Sequence, residues 1–149
     1  EVNKGSEFLI IVDQKIKKEQ NNQEKEDKYL RKSKILVVND KSNELKKIEI
    51  KLVNMGYDVT TTLYGKDAVE KIKSKEGYNL IIIDDEMNLK SGYDTLKELK
   101  KNKKFNIPVI ITLEENKKFL KDKYLEDGFS DYIMKDNLDE EIKKVTKFI

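Results

Sequence analysis

The stretch Asn79-Leu80-Ile81-Ile82-Ile83-Asp84-Asp85-Glu86-Met87 decides the fold. A short aliphatic run passes straight into three carboxylates. A run this short and this apolar reads as a strand buried on both faces, the habit of a parallel sheet. Acids at its carboxyl end then lie at the sheet edge where open α/β folds place their chemistry. A second strand, Ile35-Leu36-Val37-Val38, ends the same way in Asn39-Asp40. Two buried strands that deliver acids to one edge make a candidate site.

Working outward, strands and helices alternate. Strand 34–39 is followed by a helix over 42–55, with Leu45, Ile48, Leu52 and Met55 at helical spacing and Ser42 or Asn43 as its cap. Strand 57–63 is rich in Val and Thr. Helix 65–75 carries Ala68, Val69 and Ile72; helix 92–102 carries Tyr93, Leu96 and Leu99. Pro108 opens strand 109–113. Helix 115–127 carries Phe119, Leu120 and Tyr124, and Gly128 stops it. Strand 131–134 and a helix over 137–148, with Leu138, Ile142, Val145 and Phe148, complete five βα units. Strict alternation predicts an α/β fold: a five-stranded parallel sheet, doubly wound, with right-handed crossovers. Phe119, Tyr124 and Phe129 are candidates for the core.

Composition narrows the chemistry. Of 149 residues, 31 are basic and 29 acidic, so the net charge is only +2. Lysines and glutamates are mixed throughout, which describes a solvated surface rather than a nucleic-acid stripe. The chain has no cysteine and no histidine, so thiolate chemistry, cysteine zinc sites and an imidazole base are excluded. Carboxylate-rich sites of this kind suit a hard cation such as Mg²⁺. The apolar runs are too short to span a bilayer, and a cytoplasmic setting is expected. Residues 13–32 are Lys, Glu, Gln and Asn with few apolar positions, and read as a charged linker. Before it, 8–12 form a short apolar strand without partners, so the chain reads as a piece of a longer protein.

Residues 33–149 resemble the receiver domain of two-component response regulators. The likeness rests on Asn39-Asp40 after the first strand, Asp84 with Met87 after the third, and Gly92 in the following loop. It continues with Pro108-Val109-Ile110, Gly128, Tyr132 and Lys135, all in order and on the right elements. Residues 1–12 carry a second resemblance. Asn3-Lys4-Gly5-Ser6-Glu7-Phe8, leading into an apolar strand, is similar to the end of a histidine-kinase ATP-binding domain, with Asn3 at the motif's first glycine. Together the two imply a hybrid sensor histidine kinase as the parent, which can be membrane-anchored elsewhere.

The resemblance implies a phosphoacceptor mechanism. Asp84 is the implied nucleophile and Lys135 its partner, later pairing with the phosphoryl oxygens. Asp40, Asp84 and the Glu86 backbone carbonyl would bind Mg²⁺, with Asn39 holding a coordinated water. The phosphoryl donor would be a phosphohistidine on a kinase core or a histidine phosphotransfer protein. This fragment would catalyse at most its own phosphorylation and hydrolysis. Asp85 is expected to be a bystander in a solvated loop. Glu86 and Glu115 fall where side chains tune phosphoryl lifetime in the family, and both acids are expected to disfavour small anionic donors.

Departures from the family pattern are also legible. Counted back from Gly128, the switch hydroxyl falls at Leu113, opposite the switch aromatic Tyr132. Thr112 is one residue away, and strand alternation turns it to the other face, where it is not expected to substitute. Asp136 follows Lys135 where the family has a cis proline, so a trans bond is expected. Asn88 replaces a loop proline, and Asn39 replaces one acid of the usual pair. Two other readings stay open: a degenerate receiver that docks partners without phosphorylation, and a flavin-binding domain of the same topology.

Overall fold

The computed structural model describes residues 32–149. The expectations for residues 1–12, and for all but the last residue of 13–32, lie outside the described residues. Five strands form one sheet: β1 (Lys34–Val38), β2 (Asp58–Thr62), β3 (Leu80–Asp84), β4 (Val109–Leu113) and β5 (Asp131–Met134). All pairings are parallel, in the order β2-β1-β3-β4-β5. Sequence explains the order. The all-aliphatic β3 and β4 are buried along their whole length, whereas the Thr-rich β2 is half-exposed and takes an edge.

Alternation assigns the side chains to two cores. Ile81 and Ile83 of β3 share one core with Ile111 and Leu113 of β4, beneath helices α2 (Gly65–Lys73) and α3 (Gly92–Lys100). Leu80 and Ile82 share the other with Ile110 and Ile133, beneath α1 (Ser42–Asn54), whose Leu45, Ile48 and Leu52 are buried. Even-numbered positions of β3 and β4 therefore face α1. Asp84 and Thr112 continue that row at the carboxyl edge, directly paired in register.

Three local expectations change. The α1 cap is neither Ser42 nor Asn43 but Lys41, whose extended backbone is held by the Asn39 side chain accepting the Lys41 N–H at 2.9 Å. The helix expected over 115–127 starts as a 3-10 segment, Glu115–Leu120, before α4 (Lys121–Asp127). Gly128 ends it with φ of +118°, a left-handed cap that favours glycine. The last expected helix, 137–148, is a short α5 (Leu138–Glu141) followed by 3-10 turns over Ile142–Lys147. Ile142, Val145 and Phe148 recur every three residues, and a 3-10 turn stacks that repeat on one edge. No peptide bond among the described residues is cis, so Lys135–Asp136 is trans, as expected. Among the described residues, no helix is long and apolar enough to cross a membrane.

Candidate functional site

The acids of β1 and β3 reach the same edge because the two strands are neighbours in register, Val38 beside Ile83. Asp84 ends β3 with 1% of its surface exposed. Its Oδ1 accepts from Thr112 Oγ1 at 2.7 Å and pairs with Lys135 Nζ at 2.6 Å. Its Oδ2 is buried and, among the described residues, has no hydrogen-bond partner. A buried polar atom without a partner is costly unless a ligand or ion meets it.

Gly92 makes this edge possible. A Cβ there would stand 2.5 Å from the Asp84 carbonyl oxygen, so only glycine lets the head of α3 approach. Asn88, in the same loop, donates its backbone N–H to Asp40 Oδ2 at 2.7 Å. A proline at 88 has no N–H to give. The departure from the family pattern thus supplies a contact that fixes Asp40.

Lys135 leaves the end of β5 and is shared between two carboxylates, Asp84 at 2.6 Å and Glu44 at 3.1 Å. Burial works against its charge, but the bonds to Asp84 and Glu44 outweigh it and hold the ammonium above its ordinary pKa. Burial pushes the Asp84 carboxyl up, against the hydrogen bonds from Lys135 and Thr112 and the charges of Lys135 and Lys41. Burial also opposes Glu44, yet bonds from Asn39 and Lys135 hold it below the usual carboxylate range. Asn39 is buried and spends both polar atoms locally, Oδ1 on the Lys41 N–H and Nδ2 on Glu44 Oε1 at 3.1 Å. Its amide therefore ties the start of α1 to Glu44.

The remaining acids divide differently from expectation. Asp85 is not in a solvated loop. It is 8% exposed, takes a hydrogen bond from the Tyr124 hydroxyl, and meets Lys117 Nζ at 3.3 Å. Burial and Asp85 push the Tyr124 phenol far above its ordinary pKa. The Glu86 side chain is exposed and bonded to Lys117 at 2.6 Å, which holds it below the usual carboxylate range. Lys117 is thereby shared between Asp85 and Glu86. Glu115 is exposed on the 3-10 segment. Tyr124 and Phe129 are core, packed edge to face at 5.4 Å, whereas Phe119 is 77% exposed.

Thr112 and Leu113 are the main correction. Alternation does turn Thr112 away from Leu113, but the face it turns to is the one that carries Asp84. Its hydroxyl reaches the Asp84 carboxylate without a bulge, so Thr112 lies on the site face after all. Leu113 is fully buried on the opposite face, the one that holds Tyr132. Tyr132 is half-buried, with Lys144 Nζ 3.8 Å from its ring centroid. The hydroxyl on Asp84 and the aromatic thus lie on opposite faces of the sheet.

One cation escaped the sequence reading. Lys41 Nζ stands 3.2 Å from the Glu86 carbonyl oxygen, 3.5 Å from Asp40 Oδ1 and 3.7 Å from Asp84 Oδ2. Its only sequence signal is its place directly after Asp40. Glu44, five residues beyond Asn39, carried none.

This edge, with a buried aspartate, a bridging lysine and a strand hydroxyl, is the receiver arrangement. The chain belongs to the response regulator receiver domain family, which matches residues 35–147. Hybrid signal transduction histidine kinase I of Dictyostelium discoideum is 30% identical over 109 residues, covering 68% of this chain and 6% of that protein. Two-component response regulator ORR7 of Oryza sativa subsp. japonica is 32% identical over 113 residues, covering 75% of this chain and 54% of that protein. Among solved structures, the Francisella response regulator 1452 receiver domain superposes with a TM-score of 0.70 at 32% identity, covering 78% of this chain and 95% of that one. The chain therefore spans a small part to about half of these two relatives, and it is a receiver domain of two-component signalling.

Proposed function

We propose that this domain accepts a phosphoryl group from a phosphohistidine onto Asp84, with Mg²⁺, as part of a hybrid histidine kinase phosphorelay. The observation that carries the chemistry is the asymmetry of Asp84. One oxygen is held by Thr112 and Lys135, while the other is buried without a hydrogen bond. A carboxylate oxygen of Asp84 forms the new P–O bond. The P–N bond of the donor breaks with its electron pair left on the imidazole nitrogen. Lys135 and Thr112 already converge on Asp84 and stabilise charge that moves onto the phosphoryl oxygens.

The residues fit a hard cation. Asp40, the unpartnered Asp84 Oδ2 and the Glu86 carbonyl all face one point, and all three are oxygens. Among the described residues no group of three or more acidic, His or Cys side chains forms a metal cluster, so the set depends on a backbone oxygen. When bound there, Mg²⁺ would offset negative charge on the phosphoryl group. The similarity to a hybrid histidine kinase supports a kinase core or phosphotransfer protein as donor.

The test is beryllofluoride with Mg²⁺, followed by amide shifts around Asp84, Thr112 and Tyr132, beside the Asp84→Asn protein. Shifts at Asp84 and Thr112, lost in Asp84→Asn, are expected. Silence at every site would leave the docking-module reading in its place. Thr112 and Tyr132 lie on opposite faces of the sheet, with Leu113 on the Tyr132 side, so the response at Tyr132 is expected to be small.

A further inference from the structure

We propose that Lys41 is a built-in counter-ion whose ammonium occupies the cation position of the Asp40–Asp84 pocket, so that a divalent cation binds only by displacing it. This rests on the reading of Asp40, Asp84 and the Glu86 carbonyl as the cation pocket. The ammonium touches those same three groups, at 3.5, 3.7 and 3.2 Å. Its three N–H donors match three acceptors from three different places in the chain. It also stands 3.7 Å from the orphaned Asp84 Oδ2, whereas the close contact of Lys135 is to Oδ1.

The backbone supports this placement. The Asn39 side chain fixes the Lys41 N–H, and the Lys41 carbonyl accepts from Leu45 in the first turn of α1, at 2.9 Å each. The side chain is thereby launched from a rigid point one residue beyond Asp40. Its hold is nonetheless loose. Only the contact to the Glu86 carbonyl has ordinary hydrogen-bond length, and the side chain is 44% exposed. A flexible four-carbon stem at that exposure can swing into water without breaking the core.

Three carboxylates, Asp40, Asp84 and Glu44, face two ammoniums, Lys135 and Lys41, which leaves one net negative charge, and Asn39 stands where a further acid would add another. The metal-free pocket is therefore already close to balanced. The expected consequence is weak Mg²⁺ binding, set by competition with Lys41.

The experiment titrates Mg²⁺ by calorimetry into the full chain, as the natural protein, Lys41→Gln and Lys41→Arg, and measures thermal unfolding in chelator and in Mg²⁺. Removing the charge in Lys41→Gln is expected to tighten Mg²⁺ about tenfold. It should also enlarge the rise in unfolding temperature on adding metal. Lys41→Arg keeps the charge and should stay near the natural affinity. Binding that appears only in Lys41→Gln also supports the proposal. Unchanged or weaker Mg²⁺ affinity in Lys41→Gln, or no binding by any variant, overturns it. Labelling of Asp84 is scored separately. If Asp84 labels while Lys41→Gln leaves Mg²⁺ affinity unchanged, this proposal alone falls. If Lys41→Gln tightens Mg²⁺ and Asp84 never labels, the phosphoacceptor reading alone falls.

Discussion

Thr112 Oγ1 donates to Asp84 Oδ1 at 2.7 Å, and both groups are almost wholly buried. The bond crosses from β4 to β3 between residues paired in register, so neither side chain needs an unusual backbone to make it. It places a hydroxyl on the Asp84 carboxylate from the face opposite Tyr132. On the proposed function, the group that supports chemistry and the aromatic that would report it are separated across the sheet.

Thr112→Val keeps the shape and removes the donor. Beryllofluoride affinity or the phosphorylation rate of Asp84 should fall about tenfold, with stability reduced by about 1 kcal/mol. Leu113→Ala should do the reverse. It opens a cavity costing about 2–5 kcal/mol while Asp84 still labels once the domain is folded. Urea unfolding beside a labelling time course separates the two, and equal labelling defects would refute the assignment of the two faces.

Glu44 is the second carboxylate on Lys135 and is tied to Asn39. It touches no reacting atom, so it acts by positioning Lys135. Glu44→Gln should slow labelling severalfold and lower stability by about 1 kcal/mol. The labelling rate should also become more sensitive to salt, because Lys135 then has only Asp84 to hold it. A rate and salt profile like those of the natural protein would remove the positioning role.

Asn88→Pro restores the family proline and deletes the N–H on Asp40 Oδ2. Asn88→Ala keeps that N–H. The proline variant should therefore be the less stable of the two by about 1 kcal/mol, read from denaturant midpoints. The Asp40 carboxylate should also become more mobile in relaxation measurements. If the two variants match, the backbone bond contributes nothing.

Tyr124 gives a pH dependence. Burial first, then the bond to Asp85, raise its phenol above the unfolded value of 10.0. A raised folded pKa means that its contribution is complete below the unfolded pKa and is lost as pH rises through the folded one. Stability should therefore decline above pH about 10. Phenolate absorbance should show Tyr124 ionising later than it does in the unfolded chain, with Tyr78, also raised by burial, late as well. Tyr124→Phe should lose its part of that late titration and make the decline shallower. Seven tyrosines ionising together in the folded protein would contradict it.

Five strands, their parallel pairing and the edge that carries Asp40 and Asp84 were legible from apolar runs and the acids that close them, whereas Lys135 was legible only through the family resemblance. Helix ends were less legible. From Ile142 the 137–148 segment shows apolar residues every three positions, a spacing that fits 3-10 turns as well as a helix over so short a span. Asp85 looked solvated because its partners, Tyr124 and Lys117, are far along the chain and reach it only once α4 and its preceding turn have docked.

The sequence alone determined which residues could be buried and which acids stood at strand ends, because burial follows local periodicity. Only the tertiary structure decided what those acids meet. Whether Thr112 faces Asp84 or Tyr132 depends on the register of two strands, and a one-residue shift would reverse it. The Lys41 ammonium meets the Glu86 carbonyl across 45 residues of sequence, a contact fixed by the pairing of β1 with β3. No spacing along the chain encodes such contacts, since they arise from where neighbouring strands end.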